Sequence, residues 1–254
     1  MNTLKNKLRK TSDLNRKILK SGFWVLFGSF FSNVLLLVVA IYIANVVPKK
    51  LYGEFGILKS TINMFTVFAG LSLGLTATKY IAQFKFTDKL KTSRIIGLSQ
   101  FFSIIVSSIV LLIFLIFSKP LAIQINAPHL SDELKIGGFL LFFTAINGVQ
   151  KGILLGFEKF KSIAINSIIA AVISVLCQYI GAINFGLKGI ILGFGVNFFI
   201  LAILNFFSIK KCTSSDFKFS IFDINNFSES KVLLSFSIPA VLSGLMVSPV
   251  IWLT

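Results

Sequence analysis

Residues Leu51 to Phe84 read LYGEFGILKSTINMFTVFAGLSLGLTATKYIAQF, and this stretch decides the fold class. Lys59, Asn63, Thr66, Gly70, Gly74 and Thr78 recur at spacings of four, three, four, four and four. On a helix of 3.6 residues per turn these positions form one stripe, with Ile, Met, Phe, Val and Leu around the rest. A helix apolar on most sides, with small and polar residues on one, suits a membrane protein with a wet or closely packed seam.

The remainder of the chain repeats the design. Of 254 residues, 55% are hydrophobic and 13% charged, and 29 are Phe. An average soluble domain carries roughly 25% charged residues. Apolar runs of about 18 or more residues, the length a bilayer core requires, follow one another. They cover about 22–47, 55–84, 95–117, 136–155, 163–185 and 187–209, and a seventh begins near Val232. The expected class is all-α, a polytopic transmembrane helix bundle of six complete spans plus a seventh cut short at Thr254.

Charge sets the orientation. The net charge of +16 lies between apolar runs rather than on one face, which argues for topogenic loops and against nucleic-acid binding. Eighteen of the 25 Lys and Arg fall in the N-terminal tail and in alternate loops, at Lys79–Arg94, Lys159–Lys161 and Lys210–Lys231. Five fall in the opposite loops. The bias places the N-terminus in the cytoplasm. Residues 1–21 then form a basic cytoplasmic tail, either solvated or lying as an amphipathic helix on anionic lipid. A six-helix lobe covers 22–209, a Ser-, Asp- and Asn-rich cytoplasmic linker 210–231, and the first helix of a second lobe 232–254. Lys231-Val-Leu-Leu-Ser235 matches Lys17-Ile-Leu-Lys-Ser21 at three of five positions, as a second half starting like the first would.

No catalytic constellation is legible. There is no nucleophile–His–carboxylate set, no phosphate-binding glycine loop and no metal-ligand spacing around His129, Cys177 or Cys212. No cofactor is expected. The nine acidic residues fall in tails, loops or helix ends, against a relay built on intramembrane carboxylates.

Two intramembrane cations stand out. Lys59 lies about one turn inside the second span and Lys151 about two turns from the inner end of the fourth. A lysine at the bilayer centre costs on the order of 2.5–3.5 kcal/mol. Snorkelling to the headgroups is one resolution. The other is a cationic cavity for an anionic headgroup, with Asn63 beside Lys59, and Asn147 and Gln150 beside Lys151. The candidate substrate-binding set is therefore Lys59, Asn63, Asn147, Gln150 and Lys151. Gly148, Gly152 and Gly156 form a GxxxGxxxG ladder, a helix-packing motif. Asn33, Gln100, Asn166, Gln178 and Asn197 read as interhelical hydrogen-bonding amides.

Three motifs, Leu51-Tyr-Gly-Glu-Phe-Gly56, Ala77-Thr-Lys-Tyr-Ile-Ala82 and Leu155-Gly-Phe-Glu-Lys-Phe160, occur in an order that resembles bacterial polysaccharide-biosynthesis transporters. These are the O-antigen and lipid-linked oligosaccharide flippases, of the superfamily that includes the MATE exporters. The resemblance implies twelve or more helices in two lobes around a cavity that alternates its access. It also implies a bacterial inner-membrane location and an undecaprenyl-pyrophosphate-linked oligosaccharide as cargo. Membrane lipids and other polysaccharide-assembly membrane proteins are the further partners it implies. The chain stops inside the seventh span, so it is expected to be a fragment, a truncated product, or a half that pairs with a second copy. A MATE-type drug or metabolite antiporter is the alternative function. A membrane glycosyltransferase would need large outer loops with carboxylates or a cytoplasmic catalytic domain, and neither is evident.

Overall fold

The computed structural model describes residues 2–66, 71–213, 217, 219–221 and 223–230. Among these, six α-helices and two short 3-10 turns account for nearly all residues. They are α1 (Asn2–Val46), α2 (Lys49–Thr66), α3 (Leu71–Phe84), α4 (Lys89–Gln124), α5 (Ser131–Gly156) and α6 (Phe160–Thr213). The 3-10 turns are Pro128–Leu130 and Ile224–Glu229. Four segments are long and apolar enough to cross a membrane: Gly22–Val46, Lys89–Gln124, Pro128–Gly156 and Phe160–Thr213. The protein is an all-α polytopic membrane bundle.

Helix α6 spans 54 residues, which would reach about 80 Å if straight. It doubles back at Gly186, whose φ of 56° and ψ of −132° are open only to glycine. The two arms, 160–185 and 187–213, then run antiparallel, with the backbones of Gly181 and Gly189 in contact. This is the tight turn expected at Asn184-Phe185-Gly186. The expected second span is seen as α2 and α3, on either side of residues 67–70. The expected seventh span lies outside the described residues. Helix α1 is continuous from Asn2, so the basic tail runs without a break into the first apolar run.

Three helix termini are closed by named groups. Asp88 is extended and its carboxylate accepts the Lys91 N–H at 2.9 Å, starting α4. Helices α4 and α5 both end in a left-handed residue, Asn126 (φ 56°) and Glu158 (φ 58°). In each case the next amide reaches back to the carbonyl five residues earlier, Ala127 to Ala122 and Lys159 to Leu154. Glutamate is a costly choice for that conformation. Lys85 stabilises it: its buried Nζ donates to Glu158 Oε1 at 2.7 Å and to the Gly156 carbonyl at 3.0 Å.

The apolar core divides between the two ends of the bundle. At the hairpin end, near Gly186, Ile43, Val47, Phe55, Leu58, Leu130, Leu134 and Leu187 pack together. At the opposite end Ala77, Ile81, Ile95, Ile96, Val149, Ile153 and Ile209 do the same. Helix α5 is the axis, packing on α3, α4 and the second arm of α6. Its glycine ladder meets α3: a Cβ at Gly152 would overlap the backbone of Gly74, and one at Gly156 would meet Ile81. Thr78 Oγ1 donates across the same seam to the Gly152 carbonyl at 2.9 Å. The Gly74 and Thr78 half of the predicted stripe is thus the closely packed seam.

The outer surface is apolar as well. Leu26, Phe30 and Leu37 on α1, Leu112 and Ile116 on α4, and Leu176 and Ile183 on α6 are all exposed. A water-soluble monomer rarely carries so much contiguous apolar surface; facing acyl chains, it costs nothing.

Described residues of the linker fold back onto α4 and define the second end as the linker end. Phe227 sets its ring edge-to-face on Phe101 at 5.4 Å and contacts Phe102 at 6.4 Å. Asn226 is buried and donates to the Ser220 carbonyl at 2.7 Å. Arg94 donates to Ser228 Oγ at 3.4 Å, and Lys91 lies 3.7 Å from Glu229. The described residues of this Ser-, Asp- and Asn-rich stretch form a packed cap on α4.

Candidate functional site

Polar side chains fill the interior between the two apolar clusters. Asn147 on α5 donates to the Phe198 carbonyl at 2.7 Å and accepts from Asn205 Nδ2 at 3.3 Å. Asn166 Nδ2 reaches Asn205 Oδ1 and Ser208 Oγ, each at 2.9 Å. One chain of amides therefore ties α5 to both arms of α6. Nearer the hairpin end, Gln178 donates to Ser174 Oγ, and Ser174 donates across the arms to the Gly193 carbonyl. Asn166 thus acts as the interhelical hydrogen-bonding amide that its position predicted. Asn147, expected to line a cavity, has its amide engaged by α6.

Gln150 sits one turn along α5 from Asn147. It is buried, and its Oε1 has no partner among the described residues. Gln100 Nε2 and Ser103 Oγ on α4 are likewise buried and unpartnered. These three groups line one cavity of about 200 Å³ with Ile104, Val149, Phe206 and Ile221. Leaving a buried polar group unpaired costs about 1–3 kcal/mol. Gln100 was read as an interhelical amide, and here its NH2 has no partner among the described residues.

The two candidate lysines are exposed and lie far apart. Lys59 Nζ stands 5.7 Å from the centre of the Phe194 ring, itself packed edge-to-face against Phe55 and Phe198. Asn63, one turn on, is exposed too. Ile62 packs against Gly137, which fixes the height of α2 relative to α5. Lys59 lies three residues from that level toward the hairpin end, and Lys151 fourteen toward the linker end. At 1.5 Å per residue the two are roughly 25 Å apart along the bundle. A single pyrophosphate cannot touch both at once. Beside Lys151, a shallow apolar groove of about 490 Å³ runs between α5 and the second arm of α6, lined by Phe143, Gln150, Phe199 and Phe206.

Two carboxylates are less peripheral than the sequence suggests. Glu54 and Glu133, near the starts of α2 and α5, are buried at the hairpin end. Glu54 Oε1 lies 2.8 Å from His129 Nε2, joining α2 to the 3-10 turn. Glu133 Oε2 has no partner among the described residues. Helix-end positions in the sequence gave no sign of this burial, which for Glu54 comes with His129 of a turn 75 residues away. The described residues contain no cluster of three potential metal ligands.

The fold is shared with one half of several solved membrane proteins. A multidrug-resistance MATE-family transporter of the MOP superfamily, solved outward-facing, matches with a TM-score of 0.72 at 17% identity over 93% of this chain. A MOP-superfamily transporter from Pyrococcus furiosus matches at 0.70 with 18% identity, again over 93%. The Vibrio cholerae MATE transporter VcmN, in its bent form, matches at 0.70 with 16% identity over 93%. The chain covers 54%, 54% and 55% of those three proteins, so it spans about half their length. No curated protein matches it. The chain belongs to the polysaccharide biosynthesis protein family, whose model matches residues 18–253.

Proposed function

We propose that this chain is the N-terminal lobe of a bacterial inner-membrane flippase that moves an undecaprenyl-pyrophosphate-linked oligosaccharide by alternating access. The observation that carries the cargo is the family match over residues 18–253. The fold supports the transport mechanism, since a lobe of this shape forms half of each matched transporter. In this reading six spans are complete, the N-terminus and the linker end face the cytoplasm, and 232–254 begins a second lobe. Lys151 meets the pyrophosphate near the cytoplasmic end and Lys59 meets it near the outer end. The separation of roughly 25 Å fits successive stations better than one clamp. Asn63, Asn147 and Gln150 supply neutral polar contacts beside them.

The test uses the transporter containing this lobe in cells whose surface polysaccharide depends on it. Lys151→Ala should lower surface polysaccharide at least several-fold more than Lys119→Ala, which alters a lysine in the opposite loop. Equal levels in the two strains would remove Lys151 from the cargo path.

A MATE-type drug or metabolite antiporter is the second reading, and the solved structures support it, because two are described as multidrug-resistance transporters and others as MATE transporters. Buried Glu54 and Glu133 add to it, since an antiporter needs protonatable or ion-binding groups shielded from water. Drug efflux that survives in a strain whose polysaccharide is unaffected by deletion would select this reading over the first.

A further inference from the structure

We infer that the cavity between the two arms of α6 at the linker end binds the phosphate headgroup of an anionic phospholipid, whose acyl chain lies along the first arm. The cavity holds about 360 Å³. Lys159, Ser162 and Asn166 line it from the start of the first arm, and Ser208 and Lys211 from the end of the second. The register of the hairpin makes pairs of these residues. Gly181 meets Gly189, so residues equally displaced from that contact share a level. Ser162 then stands opposite Ser208, and Lys159 opposite Lys211. Asn166, buried and one turn nearer the hairpin, donates to Ser208 Oγ at 2.9 Å, which leaves the Ser208 O–H to donate in turn. Two ammonium groups and two hydroxyls therefore face one space, and no acidic side chain lines it among the described residues. Like charges at one level repel, and an oxyanion between them converts that cost into two charge-assisted hydrogen bonds.

Two features make the anion a membrane lipid. Lys159 and Lys211 lie just outside the apolar runs 163–185 and 187–209, at the depth of lipid headgroups. Ile165, which also lines the cavity, begins a stripe with Ile169, Val172 and Leu176 at spacings of four, three and four. All four are exposed. They form one helical face that leads from the cavity toward the hairpin, the path of an acyl chain below its headgroup. On the second arm, Ser208 and Lys211 lie about half a helical turn from Phe199 and Phe206. The site is thus separate from the groove beside Lys151, and its lipid and the cargo are read by separate assays.

The test uses Cys212, which lines the cavity, as its own reporter. In the purified full chain with Cys177→Ser, in dodecyl maltoside, alkylation of Cys212 by N-ethylmaleimide is followed as phosphatidylglycerol, phosphatidylcholine or sodium phosphate is added. Each lysine at an anionic lipid surface is worth about a fivefold preference. Phosphatidylglycerol should therefore half-protect the thiol at roughly one thirtieth of the phosphatidylcholine concentration. Sodium phosphate at the same concentration should not protect. Lys159→Gln with Lys211→Gln should bring the two lipids to within about twofold of each other, since both of those fivefold factors are removed. Lys49→Gln with Lys50→Gln, the same charge change at the hairpin end, should keep the preference. The thermal unfolding midpoint is a second reading that needs no thiol: phosphatidylglycerol should raise it above its value in phosphatidylcholine, and the Lys159→Gln, Lys211→Gln chain should lose that gain. Equal potency of the two lipids, protection by sodium phosphate alone, or a preference that survives the exchange of Lys159 and Lys211 would each overturn the assignment.

Discussion

Gly152→Ala tests the seam on which the lobe is built. The added Cβ would stand 2.7 Å from the Gly74 carbonyl carbon and α-carbon, where ordinary contact begins near 3.4 Å. The Gly74 carbonyl oxygen lies nearer still, and all three are backbone atoms, so no rotamer change relieves the overlap and α3 and α5 must move apart. Overpacking of this kind costs about 1–3 kcal/mol. The same separation stretches the 2.9 Å bond from Thr78 Oγ1 to the Gly152 carbonyl, a type of contact that averages about 0.6 kcal/mol in a membrane bundle. Alanine returns about 0.5–1 kcal/mol through its lower backbone entropy in a helix. The net is a loss of about 1–3 kcal/mol, which for a chain of this size lowers the unfolding midpoint by several degrees, at about 2–4 °C per kcal/mol. Gly56→Ala is the matched control: Gly56 is helical, and a Cβ there meets nothing within 4 Å. It should gain about 0.5–1 kcal/mol. Thermal unfolding of the detergent-solubilised chain, followed by far-ultraviolet circular dichroism, gives both midpoints. If the two variants shift in the same direction, α3 and α5 do not meet as described.

Three further outcomes follow from the same contacts. Lys85→Met removes the bonds from Nζ to Glu158 and to the Gly156 carbonyl and should cost about 1.5–3 kcal/mol. The cost should shrink in a Glu158→Gly background, where glycine accepts the left-handed backbone without help, and an unchanged cost would disconnect Lys85 from that turn. Asn205→Leu breaks the amide chain at its middle member, losing the bonds to Asn147 and from Asn166, and should destabilise by about 1–2 kcal/mol at about 0.6 kcal/mol or more per bond. Asn33→Leu, at an exposed amide, should be near neutral, and equal effects would argue against the chain. Phe227→Ala removes the ring that rests on Phe101 and Phe102. Amide hydrogen exchange across 223–229 should accelerate, whereas α5 amides should keep their protection; unchanged exchange at 223–229 would mean that the aromatic contact does not hold the cap.

Features written within one helix were legible in the sequence. Apolar length located the four described membrane-length segments, although α4 starts six residues before and ends seven after its apolar run and 55–84 is divided between α2 and α3, and the four-residue spacing of Gly148, Gly152 and Gly156 announced a close helix contact before its partner was known. Gly186 was legible for the same reason, since a glycine after Asn184 and Phe185 marks a reversal by local chemistry alone. What depended on a distant partner was not legible. Lys85 counts as one more positive charge in a loop until Glu158, 73 residues away, supplies the acid it caps. Glu54 looks like a helix-end carboxylate until His129 folds over it.

The amides make the sharper case, because sequence gives a bonded and an unbonded amide the same appearance. Asn166 and Gln100 are both single polar residues in apolar runs, and packing logic assigns each a hydrogen bond across helices. Asn166 finds Asn205 and Ser208 on the antiparallel arm of its own hairpin, where a short turn fixes the register. Gln100, which lines the same cavity as Gln150 and Ser103, leaves its NH2 without a partner among the described residues. The three unbonded groups at Gln100, Ser103 and Gln150 are a cost of about 1–3 kcal/mol each that periodicity could not reveal, because whether an amide is bonded depends on the register of a partner helix and not on its own.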